Sequence, residues 1–423
     1  MNDADNADLK LQLREVLGER FTPSSDGIIG SASPENAFEL RKLILSTRES
    51  GVPLVPRGAG SSPYPGAAVP NGVVLNFECM SHILSVDAKG QLAKVEPGVI
   101  WNQLIDHLGT YGLMPRVYPS SAALSTVGGF VAQSGIGVGS YQYGSIRDCV
   151  QSVRMMAGDG EAIELRGDAL DLAVGVQGRT GILLEIVLRL QPAATIEPLV
   201  AVFDRAAGLE GCLAEIAGSA LPLWSVSLMD RAAVDLQSKF RATEFTLPQG
   251  RYAALFSFRA EGRQQVLPRL CGAILAAGGK PVPVTGSNSS WLEPFMSLQL
   301  LGTTPIPMQF RLPLGKLAEL ISSIPAGLRP KLAFEAVVAD RARCTAVRFF
   351  LVEAPQAAIE NMLAARELLS LVKAVGGAVY ATGAFFQDEA EAVYGARLLR
   401  KLGAFRQATD PDNRLNPGKA FAS

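Results

Sequence analysis

The sequence predicts an α+β chain divided into two or three domains. Three observations carry that expectation. At 423 residues the chain exceeds what one hydrophobic core comfortably serves. Near the N-terminus, strand-like pairs at 28–29 and 54–55 bracket a helical stretch, the pattern of a βαβ unit. Beyond residue 193 helix-like and strand-like segments alternate. With 48% apolar and 19% charged residues, the chain reads as well-buried and globular.

Taken in order, residues 8–20 place Leu9, Leu11, Leu13, Val16 and Leu17 on a mostly helical spacing. A second helix is expected to start at Ser33, as N-cap, with Pro34 at its first position. It should run to about Glu49 and stop at Gly51. Residues 71–76, 83–86 and 92–95 read as strands, and Pro97-Gly98 as a turn. Residues 99–108 read as a short amphipathic helix with Trp101, Leu104, Ile105 and Leu108 on one face. Gly158-Asp-Gly160 between apolar runs predicts a hairpin, and 181–190 a strand ending at Pro192. Farther on, 209–218, 263–277, 314–324 and 355–374 read as helices, and 252–258 and 348–352 as strands. The 355–374 stretch is rich in the strong helix formers Ala, Leu, Glu and Lys.

Charge and cysteine usage exclude several classes. The formal net charge is −1 with no long basic run, which argues against nucleic acid. Cys79, Cys149, Cys212, Cys271 and Cys344 are scattered without a CxxC pair, so no zinc site, iron–sulfur site or disulfide framework is expected. The acidic N-terminus lacks a secretory n-region and h-region, and no run of about 18 apolar residues occurs. A cytoplasmic protein is expected, reaching the inner membrane only through partners.

Two glycine-rich stretches carry the functional signal. Val52 to Ser62 reads as a brief strand followed by a turn. Gly58 and Gly60 let its backbone approach a ligand, while Ser61 and Ser62 add hydroxyls. Such a turn can form an anion-binding nest, with ordinary tight-turn chemistry as the plain alternative. A Rossmann GxGxxG is disfavoured, because Pro63 stands at the third glycine position and no amphipathic helix follows. From Pro119 to Gly144 small residues dominate with almost no charge, threaded by Val127, Phe130, Val131, Ile136 and Val138. A flexible linker would be polar; this ribbon reads as buried, with side chains kept small beside a large flat ligand.

These motifs resemble the vanillyl-alcohol-oxidase/p-cresol-methylhydroxylase flavoprotein superfamily, and within it the glycolate oxidase and D-lactate dehydrogenase branch. The matching residues are Pro56-Arg-Gly-Ala-Gly-Ser-Ser62, Thr126-Val-Gly-Gly129, Tyr143-Gly144 with Asp148, Gly181-Ile182, and the run from Asp410 to Lys419. The resemblance implies a two-part FAD-binding domain (1–192), an α+β cap or substrate domain (193–385) and a C-terminal segment (386–423) returning to the FAD domain. It implies FAD contacts from Pro56, Arg57, Gly58, Ala59, Gly60, Ser61 and Ser62 around the diphosphate. Pro119, Ser120, Thr126, Val127, Gly128 and Gly129 would line the same cofactor. Ala132, Ser134 and Gly135 would pass near the flavin ring, and Tyr143 belongs to the same motif set. Asp148, Gly181 and Ile182 would serve the adenosine half, and Asn416 and Lys419 would close the site. Relatives that attach FAD covalently use a His in the Gly-rich loop. This loop has Ser61 and Ser62, so the cofactor is expected to be non-covalent.

On the substrate side the chain departs from the pattern. Catalytic members of this branch carry a His-rich Gly-Asp-Gly-Asn motif in the cap, where this chain reads Phe-Glu-Ala-Val-Val-Ala-Asp-Arg-Ala-Arg-Cys from Phe334 to Cys344. The two histidines, His82 and His107, lie in the FAD domain, so no metal is expected. Oxidising a 2-hydroxyacid needs a base and a cation for the carboxylate. Arg311 and Arg116 are the cation candidates and Tyr380 a hydroxyl partner. Three functions stay open. The first is an FAD-linked 2-hydroxyacid dehydrogenase passing electrons to a partner rather than to NAD. The second is an accessory FAD subunit beside a second flavoprotein and an iron–sulfur subunit. The third is a flavin-fold structural subunit without FAD.

Overall fold

The computed structural model describes residues 3–24, 27–61, 70–240, 250–282, 308–340, 343–352 and 358–421. Among them three sheets form. The first has four strands in the order Phe21–Pro23, Gly30–Ala32, Val73–Asn76, Leu54–Arg57. Its last three strands are parallel, because the helix Ala37–Glu49 crosses over between Gly30–Ala32 and Leu54–Arg57. Leu40, Leu43 and Ile44 of that helix share a buried cluster with Leu54, Val73 and Leu75.

The helix start differs from expectation. Asn36, not Ser33, is the N-cap, and its side chain accepts from Glu39 N at 3.0 Å. Ser33 is buried and donates instead to Glu78 Oε1 at 2.6 Å. Arg20 binds both carboxylate oxygens of Glu39, at 2.6 and 2.7 Å, and holds this carboxyl below its usual range. The stop occurs as expected at Gly51, whose φ of +74° suits a residue without a Cβ.

The second sheet is antiparallel, in the order Ile83–Asp87, Leu92–Val95, Gly181–Pro192, Val150–Ala157, Ala162–Arg166, with Leu113–Pro115 also on Gly181–Pro192. Its hairpin turns at Gly160, where φ is +82°. Over this sheet lies the amphipathic helix Trp101–Gly109, which buries Trp101, Leu104 and Leu108.

The third sheet has eight antiparallel strands: Lys280–Val282, Ile196–Phe203, Tyr252–Arg259, Leu223–Asp230, Leu332–Ala339, Cys344–Leu351, Met308–Pro313 and Ala378–Val379. One face packs under the helices Ala206–Gly218, Arg263–Ala276, Leu317–Ser323 and Ala358–Ala374. The other face meets the first two sheets' domain through the short helix Ser140–Tyr143, where Asp340 N donates to Ser140 O at 2.9 Å. Gly139 makes this approach close. A Cβ there would stand 2.0 Å from Arg116 O and 2.6 Å from Trp224 Nε1.

After the third sheet, the helical run Ala390–Thr409 leads back, and the following segment bonds to the edge of the first sheet. Leu54 N donates to Arg414 O (2.9 Å) and Asn416 N to Leu54 O (3.0 Å). Asp410 fixes that turn by accepting from Arg414 N and Leu415 N. No helix among the described residues is long and apolar enough to cross a membrane.

Candidate functional site

The two glycine-rich stretches meet. At Gly58 a Cβ would stand 2.5 Å from Thr126 Oγ1 and 3.4 Å from the Gly129 Cα. Ser61 Oγ lies 2.9 Å from Ser125 Oγ, which in turn lies 2.5 Å from Ser121 Oγ. The ribbon is not uniformly extended. Thr126 caps a short helix, Val127–Ala132, by accepting from Gly129 N at 3.1 Å. Two of its glycines answer protein neighbours. A Cβ on Gly128 would meet Pro97 at 2.6 Å, and one on Gly135 would enter the Phe130 ring at 2.0 Å.

One cavity runs between these segments, the loop 177–183, Asn416 and the third sheet. Of the residues expected around the cofactor, Pro56, Arg57, Gly58, Ala59, Gly60, Ser61, Pro119, Ser120, Thr126, Gly128, Gly129, Ala132, Gly135, Gly181, Ile182 and Asn416 line it. Ser62 lies outside the described residues.

Five others stand away from the lining. Val127 is fully buried in the core beneath it. Ser134, at φ +50°, turns its hydroxyl toward Ser145 at 3.5 Å. Tyr143 donates to Gln191 Oε1 at 2.9 Å, with the Arg116 guanidinium over its ring. Asp148 is engaged in a capping box, accepting from Ser145 N and Oγ at 2.9 and 3.1 Å. Lys419 is buried, which lowers its pKa.

The expected substrate residues divide. Tyr380 lines the cavity. Its oxygen accepts from Ile136 N at 2.6 Å, and burial raises its pKa while Arg311 opposes the rise. Arg311 stacks over that ring at 5.0 Å, with its Nε lacking a hydrogen-bond partner. It therefore reaches the site through Tyr380. Arg116 stands outside the lining; its Nε donates to Leu190 O at 2.9 Å, and its carbonyl accepts from Trp224 Nε1. Tyr380→Phe should leave the partly buried Ile136 N–H without that acceptor. A loss of about 1–3 kcal/mol is expected, measurable by chemical denaturation.

Sequence reasoning missed Arg348 and Gln309, which line the cavity from the third sheet. They are cross-strand partners, and Glu335 is the next residue in the same row. Arg348 Nη1 stands 3.2 Å from Glu335 Oε1. Glu335 is buried and its Oε2 has no hydrogen-bond partner. Burial pushes this carboxyl up to about 8, with Arg348 opposing. A carboxyl raised in the folded state adds stability at low pH that is lost as pH rises from its ordinary 4.5 through about 8. The Glu335→Gln variant should lose that part of the slope of melting temperature against pH between 5 and 9, roughly.

The lining chemistry fits the expected dinucleotide. Among the described residues its charged lining side chains are Arg57 and Arg348, with no Asp or Glu, which suits an anion. Asn416 is 2% exposed; its Nδ2 donates to Gln177 O at 2.6 Å, while Oδ1 has no partner. That leaves a buried acceptor for a group bringing its own N–H. His82 and His107 are both exposed and away from the cavity, the first paired with Glu96. Among the described residues no three His, Cys, Asp or Glu gather as a metal site.

Comparison with known proteins agrees with this geometry. Residues 30–166 match a family model described as FAD binding domain, and 194–420 one described as FAD linked oxidases, C-terminal domain. A glycolate oxidase subunit GlcD from Bacillus subtilis (strain 168) is 25% identical, over 98% of this chain and 97% of its own. A D-lactate dehydrogenase from Archaeoglobus fulgidus is 29% identical over 54% of this chain and 53% of its own. Among solved structures, p-cresol methylhydroxylase with substrate bound superposes with a TM-score of 0.84 at 17% identity, covering 100% of this chain and 98% of that one. A 4-ethylphenol oxidase from Gulosibacter chungangensis gives 0.82 at 15% identity, covering 100% and 98%.

Proposed function

The chain belongs to the FAD-linked oxidases, and on that premise we propose that it is an FAD-dependent oxidoreductase subunit acting on a small 2-hydroxyacid such as glycolate or D-lactate. The observation that carries this reading is Arg348, a guanidinium on the cap side of a cavity otherwise lined by the FAD-binding segments. Its planar fork suits both oxygens of a carboxylate. The names of the glycolate oxidase subunit and the D-lactate dehydrogenase support the same substrate class.

When bound, FAD supplies the two-electron acceptor. Residues 56–61 and the lining residues of 119–129 would hold and enclose it, and Asn416 Oδ1, which has no partner, would accept a hydrogen bond from it. Attachment is non-covalent in this reading, because the Gly-rich loop carries Ser61 and Ser62 where covalently attaching relatives use a His. Arg348 orients the substrate carboxylate. Tyr380, already accepting from Ile136 N, keeps its O–H for the substrate hydroxyl. The chain divides functionally into FAD-binding (1–192), cap (193–385) and returning (386–423) segments. Its electrons pass to an iron–sulfur subunit and a second flavoprotein in the cytoplasm, a reading supported by the word subunit in the relative's name.

A second reading, an accessory FAD subunit that only relays electrons, is favoured by one observation: Glu335 already sits against Arg348. Anaerobic titration separates the two. Under the first reading, D-lactate or glycolate bleaches the flavin band of the purified chain, and Arg348→Met raises the required concentration at least tenfold, roughly. A flavin that bleaches only with dithionite or a reduced partner supports the second reading and sinks the first.

A further inference from the structure

Arg348 and Glu335 are directly opposed across neighbouring antiparallel strands, and only Arg348 reaches the cavity lining. We infer that the cap wall is a proton-linked site for a small monocarboxylate, in which the ligand takes over Arg348 as Glu335 becomes neutral. This deepens the proposed function and rests on it for the choice of ligand class.

The coupling is electrostatic. Glu335 is 3% exposed, and Arg348's side chain is 18% exposed. A ligand carboxylate on Arg348 would place a second negative charge beside the first, in a region where water screens little. Two carboxylates sharing one cation at such a site do not both ionise; one takes a proton. Glu335 is the one that yields. Its Oε2 has no hydrogen-bond partner, and burial has already raised its pKa, whereas the ligand arrives with access to the cavity.

On the adjoining strands the charged side chains are Arg348, Arg311 and Asp230, the last buried and bonded to Arg329, Ala233 N and Phe334 N, with Cys344, which burial raises. Tyr380 lies beside the two arginines and is also raised by burial. The helix Arg231–Phe240 packs on the Glu335 strand and carries the exposed pair Arg231–Asp235, closed at 2.8 Å. From the helix Ser140–Tyr143 come Tyr141, raised by burial, and Tyr143, engaged with Gln191. Glu335 is the carboxylate bonded to Arg348, whereas Asp230 is bonded to Arg329.

The probe is propionate, which has the carboxylate but no 2-hydroxyl to oxidise, with propionamide as the neutral control. Binding to the FAD-loaded chain is followed by calorimetry in buffers of different ionisation enthalpy, which counts protons. Affinity should be level below the Glu335 pKa and fall about tenfold per pH unit above it, with uptake approaching one proton. Glu335→Gln should bind propionate with no such slope and no uptake. Arg348→Met should lose propionate binding at every pH, and propionamide should not bind the parent protein.

A parent affinity that is flat with pH, or a slope retained in Glu335→Gln, overturns the inference. So does an absence of propionate binding. The proton count on the parent protein needs no variant, so a misfolded substitution cannot shelter it. Propionate binding with proton uptake but no bleaching by 2-hydroxyacids would overturn the proposed function and leave this site standing.

Discussion

Gly58→Val is expected to purify with little or no FAD. The Cβ would stand 2.5 Å from Thr126 Oγ1 and 3.4 Å from the Gly129 Cα. Thr126 cannot simply turn aside, because its Oγ1 accepts from Gly129 N and caps the helix Val127–Ala132. The added branch must push the loop 56–61 away from the ribbon. Overpacking of this kind costs about 1–3 kcal/mol. Spent at the mouth of the cavity, that is a loss of roughly tenfold to a hundredfold in FAD affinity. The ratio of flavin to protein absorbance and a fluorescence titration of the apoprotein would measure it. Gly109→Ala, where a Cβ would have nothing within 4 Å, should retain full cofactor. Unchanged affinity in Gly58→Val would mean that the two segments do not grip one ligand together.

The second large effect is expected at Trp101. This side chain is fully buried and meets the Phe130 ring edge-on, centroids 5.7 Å apart at 88°. Phe130 lines the cavity and covers Gly135. Trp101→Ala removes that support and leaves a large hole, at a cost of about 3–5 kcal/mol. A fall in melting temperature of roughly 10 °C should follow, with flavin released at the same transition. The indole Nε1 has no hydrogen-bond partner, so Trp101→Phe gives up no polar contact and should recover most of the loss. Thermal denaturation followed by circular dichroism and flavin fluorescence distinguishes these outcomes. A Trp101→Ala protein melting with the parent would show that Phe130 is held in place by other neighbours.

Local signals were legible where a residue type forces a local conformation. Gly51 and Gly160 mark turns because their φ values are positive. The helix Trp101–Gly109 was visible because its apolar residues recur at helical spacing. The strands Leu223–Asp230 and Leu332–Ala339 were not. Every residue of both is buried, so neither shows the alternation that marks a strand with one wet face. Glu335 and Ser225 are polar but buried all the same. The start of the helix Ala37–Glu49 was misread because Ser33 spends its hydroxyl on Glu78, far along the chain.

The site shows the same division. The segments 56–61 and 119–135 announced themselves by small residues and glycines, and they do share a cavity. Asp148 matched a family motif but caps its own helix, and Arg116 is turned to the Leu190 carbonyl. Arg348 was passed over in a plain apolar stretch.

By its order of residues alone, the chain specified an FAD-binding, FAD-linked-oxidase fold and the backbone segments that line the cavity. Those features are written in steric rules that act between near neighbours. Which charged side chains face the cavity was decided only when the sheets assembled. Gln309, Arg348 and Glu335 form one row because of antiparallel register between distant segments. A slip of one residue would turn each side chain to the opposite face.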